Sequence, residues 1–193
     1  MNSYKCIFLD HDGVICLSSN WGGRFKKQKK WGGRKLSMTA FEMPVQYRFD
    51  NFDEKAISCL NEILEKTGAE IVVSSDWKNW ANVEEMGGYY EEQGIIKKPI
   101  AFTPDLGQCT WYDEMNFTFL ANWDRETSRA IEIQQYLKDN PTITHWVAID
   151  DLNMGKDEVW KDWALDNFVL TPISSEGIKQ KGIQEKILRF LDA

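Results

Sequence analysis

Histidine is scarce in this chain and cysteine is unpaired. Its 193 residues hold two histidines, His11 and His145, and four cysteines, Cys6, Cys16, Cys59 and Cys109, with no Cys-x-x-Cys spacing. So poor a set of soft ligands argues against a zinc site and a disulfide framework, and it predicts reduced thiols. Long apolar runs are missing too. Stretches such as Cys6 to Leu9 fall far short of the ~20 residues of a membrane span, and the opening Met-Asn-Ser-Tyr-Lys lacks a signal-peptide core. No membrane association and a cytoplasmic address are expected, and nothing calls for an obligate protein partner. With 42% hydrophobic and 27% charged residues the chain reads as one globular domain over residues 1–193, not as a disordered or fibrous segment.

Acids are absent over one long interval. Between Gly13 and Phe41 there is no Asp or Glu, while Arg24, Lys26, Lys27, Lys29, Lys30, Arg34 and Lys35 crowd together in a chain of net charge -7. A cationic island in an acidic protein suits a phosphate or polyanion, since Lys and Arg gain by replacing condensed counterions. The island contains an echo, Trp21-Gly22-Gly23-Arg24 and Trp31-Gly32-Gly33-Arg34. Two turns pairing an aromatic face with a guanidinium predict a hairpin-like flap, inserted at 14–50, with Trp21, Trp31, Arg24, Lys26, Lys27 and Arg34 as candidate substrate contacts. A second, aromatic insertion is expected at 105–124.

The rest alternates between two periodicities. Apolar runs at Lys5–Leu9, Glu70–Val73, Ile95–Phe102, His145–Ile149 and Asn167–Leu170 predict strands. Helical spacing follows Asp53 up to Gly68, and again over about Lys78–Gln93, Arg125–Leu137 and Ile178–Leu191. Such alternation implies right-handed crossovers and an α/β, Rossmann-like, doubly wound parallel sheet, with its site beyond the carboxyl ends of the strands. Asp10, Asp12, Ser74, Asp150 and Asp151 all fall there. Carboxylates converging at one sheet edge repel unless a hard cation neutralises them, and oxygen donors select Mg²⁺.

These strings, in this order, resemble the haloacid-dehalogenase-like (HAD) phosphatase superfamily. Ile7-Phe8-Leu9-Asp10-His11-Asp12-Gly13-Val14 is similar to its first motif, Ile71-Val72-Val73-Ser74 to its second, Ser128-Arg129-Ala130 to its third and Val147-Ala148-Ile149-Asp150-Asp151 to its fourth. Further strings, Val73-Ser74-Ser75-Asp76-Trp77-Lys78, Ala101-Phe102-Thr103-Pro104 and Phe168-Val169-Leu170-Thr171, resemble the HAD branch of "Swiss-army-knife" RNA-repair proteins. The resemblance implies a phosphatase in which Asp10 is the nucleophile and Asp12 the acid and base. It also implies that Ser74 holds a phosphoryl oxygen and that Arg129 balances charge, with Gly13 and Ser75 beside the substrate. Mg²⁺ would be held by Asp10, the Asp12 carbonyl, Asp150 and Asp151. Arginine replaces the more usual lysine of the third motif, leaving Arg125 and Lys156 as rivals to Arg129. His11 is expected to point away from the metal, and Trp77 and Trp80 to pack.

The chain is too short for a large cap domain, and an open site suits a macromolecular phosphate end. The expected substrate is a nucleotide or a 3'- or 5'-phosphorylated nucleic-acid end, with a small phosphorylated metabolite or a non-catalytic nucleic-acid-binding role as alternatives.

Overall fold

A computed structural model describes residues 4–32, 42–106, 125–155 and 163–192. Five parallel strands form the sheet: β1 (Tyr4–Leu9), β2 (Glu70–Val73), β3 (Pro99–Phe102), β4 (Ile143–Asp150) and β5 (Phe168–Leu170), in the order β3-β2-β1-β4-β5. The helices are α1 (Gly23–Gly32), α2 (Val45–Arg48), α3 (Glu54–Thr67), α4 (Val83–Gln93), α5 (Arg125–Asp139) and α6 (Ile183–Asp192). β1 lies at the centre, pairing Leu9 with Val73 on one side and with Ile149 on the other.

The period of two along the strands decides which helices cover which face. Ile7, Leu9, Ile71, Val73, Val147 and Ile149 pack in one core with apolar residues of α3, α4 and α6. Cys6, Phe8, Val72 and Ala148 face the other way, onto Ala130 and Ile133 of α5. Burial on both faces is why the strands read as continuous apolar runs, and it makes the fold the expected doubly wound α/β sheet. Among the described residues no helix is long and apolar enough to cross a membrane.

Local chemistry sets the element ends. Asp53 accepts a hydrogen bond from the Ala56 amide and starts α3, which ends at Gly68. The helix expected over Lys78–Gln93 is interrupted because Asn82 and Glu85 form a capping box that begins α4, while Asp76–Trp80 winds into a separate 3₁₀ turn capped by Ser75. The strand expected from Ile95 is confined to Pro99–Phe102. The C-terminal helical stretch likewise divides into a 3₁₀ turn at Gly177–Lys179 and α6.

The hairpin-like flap is a correction, because the cationic island forms a helix. No β-branched residue occurs between Gly22 and Gly32, and Lys, Arg and Gln favour helix. The cap comes from far along the chain: the buried Asp50 carboxylate accepts from the amides of Gly22 and Arg24. On the inner side of α1, Gln28 donates to the Tyr47 carbonyl and the Trp31 ring lies 5.5 Å from that of Tyr47. Arg34 and Lys35 lie outside the described residues, as does 107–124 within the second expected insertion.

The turn after β1 is locked from the C-terminal part of the chain. The Ile178 amide donates to the Val14 carbonyl, and Gly177 approaches so closely, with φ +56°, that a Cβ there would sit 2.1 Å from the same oxygen. Gly177→Ala is therefore expected to cost at least about 2 kcal/mol, the size of a backbone clash in a strained conformation, as read by urea denaturation. Asp53→Ala should cost about 1 kcal/mol for the lost cap. Although partial burial raises the Asp53 carboxyl, hydrogen bonds and the nearby Lys179 charge hold it below the ordinary range. Its contribution is thus full at neutral pH, and the gap between wild type and variant should close only as pH falls from about 4 downwards.

Candidate active site

Adjacent parallel strands deliver the acids to one place. Asp10 follows β1 directly and its amide donates to the Ile149 carbonyl at 3.0 Å, so Asp150, at the end of β4, arrives beside it. With Asp151 they offer oxygens that lie within 4.8 Å of one another. Burial pushes the Asp10 carboxyl well above the usual carboxylate range and the Asp150 charge adds to this, while Arg129 and Ser75 oppose it. Burial likewise pushes Asp150 up to about 6, against the pull of Arg129.

Arg129, on the second turn of α5 and itself buried, answers part of this charge. Its Nη1 donates to Asp10 Oδ1 at 2.8 Å, to Asp150 Oδ2 at 3.0 Å and to the Ser74 carbonyl at 3.1 Å, and its Nη2 donates to Asp76 Oδ1 at 2.8 Å. Of its rivals, Arg125 pairs with Asp76 at the exposed edge, and Lys156 lies outside the described residues. A single buried guanidinium among three clustered carboxylates leaves negative charge uncompensated. The donors are all hard oxygens, so the residues present fit a divalent cation such as Mg²⁺.

Around this centre opens a pocket of about 370 Å³ whose walls include Asp10, Asp12, Ser75, Arg129 and Asp151, together with Trp21 just before α1 and Arg24 in its first turn. Asp12 is half-buried, and burial raises its carboxyl despite the hydrogen bond from the Trp77 indole. Gly13, at φ +72°, is the only residue type that fits its place, since a Cβ would lie 2.3 Å from Asp151 Oδ2. Ser75 lines the pocket beside Asp10 and favours its ionised form, whereas the Ser74 hydroxyl is buried without a hydrogen-bond partner among the described residues. His11 is wholly buried and turned to the Tyr90 hydroxyl at 2.6 Å, away from the acids.

The other flap candidates separate from the pocket. Lys26 is exposed, and Lys27 turns to Asn51 Oδ1 and borders a second groove beside Lys55 and Lys179. Trp31 packs on Tyr47, and Arg34 lies outside the described residues. Two pocket residues, Asp50 and Asp76, and the buried Trp77 behind them carry no functional role in the sequence reading. Asp76 and Trp77 follow directly on the Ser74-Ser75 strand end, a position that could have drawn notice. Asp50 has no such signal, because its partners lie 28 and 26 residues earlier.

The family described as "HAD domain in Swiss Army Knife RNA repair proteins" matches residues 6–183. No curated protein and no solved structure matches the chain.

Removing Arg129 leaves buried carboxylates unpaired, so Arg129→Ala should lose about 3–5 kcal/mol of stability. Added Mg²⁺ should recover part of that loss, measured by chemical denaturation with and without the metal. Arg129→Lys should fall between, because one ammonium cannot span Asp10, Asp150 and Asp76 together.

Proposed function

We propose that this chain, which belongs to the family of HAD domains in Swiss Army Knife RNA repair proteins, hydrolyses phosphate monoesters of nucleotides or nucleic-acid ends through an aspartyl-phosphate on Asp10. Family membership supports a HAD-type phosphatase in general. The observation that carries the finer reading is the meeting of Asp10, Asp12 and Arg129 on the wall of one pocket, with Asp150 and Asp151 beside them.

In the first half-reaction Asp10 attacks phosphorus in line. The bond to the ester oxygen breaks, and the Asp12 carboxyl gives that oxygen its proton. Asp12, now ionised, then takes a proton from water as the water oxygen attacks phosphorus, and the bond between Asp10 and phosphorus breaks to release inorganic phosphate. Ser75 and Arg129, which line the pocket, are assigned to the phosphoryl oxygens, in place of Ser74, whose buried hydroxyl is not on the pocket wall. Asp10, the Asp12 carbonyl, Asp150 and Asp151 would hold Mg²⁺, whose charge offsets that of the transferred group. A phosphoryl transition state needs positioned charge above all, and this wall offers it.

Trp21 and Arg24 support the nucleotide class: a flat ring and a guanidinium share the pocket with the reacting carboxylates. Beyond them the outer side of α1 exposes Lys26, Lys29 and Lys30, a cationic continuation suited to a phosphate backbone.

Asp10→Asn should abolish turnover of every phosphomonoester; activity within tenfold of wild type would overturn the nucleophile assignment. Asp12→Asn should be severely impaired yet keep its Mg²⁺ affinity, as read by calorimetry, since the main-chain carbonyl survives. Replacing Lys26, Lys29 and Lys30 by Ala should raise KM for a phosphorylated oligonucleotide and flatten its salt dependence by about 0.7 in log–log slope per lost contact. Turnover of a small aryl phosphate should hardly change. No effect on the oligonucleotide would favour a small phosphorylated metabolite instead.

A further inference from the structure

Trp77 is more constrained than a core residue needs to be. It sits on the 3₁₀ turn behind Ser75 and is 4% exposed. Its ring lies parallel to that of Phe49, with centroids 4.5 Å apart and planes at 7°, and nearly parallel to that of Phe52, at 5.4 Å and 15°. The His11 ring closes a further side at 4.6 Å, and His11 is itself pinned by Tyr90. Stacked in this way the indole has no freedom to turn, so the direction of its N–H is set by packing alone. That N–H points at Asp12 Oδ2, 2.8 Å away.

We propose that Trp77 is a positioning residue for proton transfer, holding Asp12 Oδ2 so that Oδ1 carries the proton given to the leaving oxygen. The indole nitrogen is a donor only, so Oδ2 must accept in both the protonated and the ionised carboxyl, and the mobile proton has one oxygen left to ride on. The indole is uncharged and cannot accept a proton, so it fixes the orientation of Asp12 without competing for its proton. In the first half-reaction the proton leaves Oδ1 for the ester oxygen as the bond to phosphorus breaks. In the second it returns to Oδ1 from water. The assignment rests on Asp12 being the acid and base, as argued above.

Leaving-group dependence tests it. An alkoxide, as in a nucleoside 3'-monophosphate, cannot depart without a proton, whereas an activated aryl oxide can. Trp77→Phe keeps an aromatic ring in the stack and removes the donor. With Mg²⁺ present it should lose about tenfold or more in kcat/KM on the nucleoside monophosphate and less than about threefold in kcat/KM on the aryl phosphate, since kcat/KM reports only the steps through departure of the leaving group. In an Asp12→Asn background the same substitution should cost nothing further. If Trp77→Phe does not fold, 3-benzothienylalanine at position 77, which has the shape of tryptophan and no N–H, replaces it in the same assays. Equal losses on both substrates, or a full additional loss in the Asp12→Asn background, would overturn the proposal and leave Trp77 a packing residue. A wild-type protein inactive on both substrates would instead overturn the phosphatase reading on which the proposal rests.

Discussion

The structure turns on a charge problem at the carboxyl ends of β1 and β4. Parallel neighbours in register bring Asp10 and Asp150 together, with Asp151 at their side, and burial denies them water. Carboxylates in that situation would take up protons or push apart unless positive charge is placed among them. Arg129 supplies it with a single nitrogen shared between the two buried acids, and with a second nitrogen reaching Asp76. A guanidinium does this better than an ammonium because its donors are spread in a rigid plane. The position that the resemblance leads one to expect as lysine therefore holds the residue that can tie β1, β4 and the turn after β2 into one unit. The negative charge that remains is what suits the site to a divalent cation.

A second organising element is the short segment from Phe49 to Phe52. Asp50 fixes the first turn of α1, and so places Trp21 and Arg24 on the pocket wall, while its carbonyl is held by the Tyr89 hydroxyl. On either side of it, Phe49 and Phe52 clamp the indole that reaches Asp12. The substrate-facing helix and the proton-transfer group are thus held from the same stretch of backbone.

Much of this was legible from residue types and spacing. β2 begins and ends where its apolar run does, α3 starts at its Asp53 cap and stops at Gly68, and the acids fall at strand ends because parallel strands are terminated by polar turns. What could not be read depends on partners distant in sequence. The cationic island resembled two tight turns because each Trp-Gly-Gly-Arg string is a plausible turn by itself, and only the remote Asp50 carboxylate makes the first of them a helix start. Trp77 was legible as a packing residue, whereas Trp80, expected to pack as well, is half exposed, and the Trp77 hydrogen bond crosses from one strand end to another. Which of Ser74 and Ser75 faces the pocket depends on how the chain leaves β2, a matter of one residue's rotation that no periodicity encodes.

The covalent role of Asp10 is the central claim, and trapping the phosphorylated enzyme tests it most directly. In the Asp12→Asn variant an activated aryl phosphate should still phosphorylate Asp10, while the missing base slows hydrolysis and lets the acyl phosphate accumulate. Borohydride added during turnover reduces an aspartyl-phosphate to homoserine, and peptide mass spectrometry then locates it. The account predicts homoserine at position 10 alone, dependent on substrate. Modification at another aspartate, or aryl oxide release with no trapped residue at all, would contradict it.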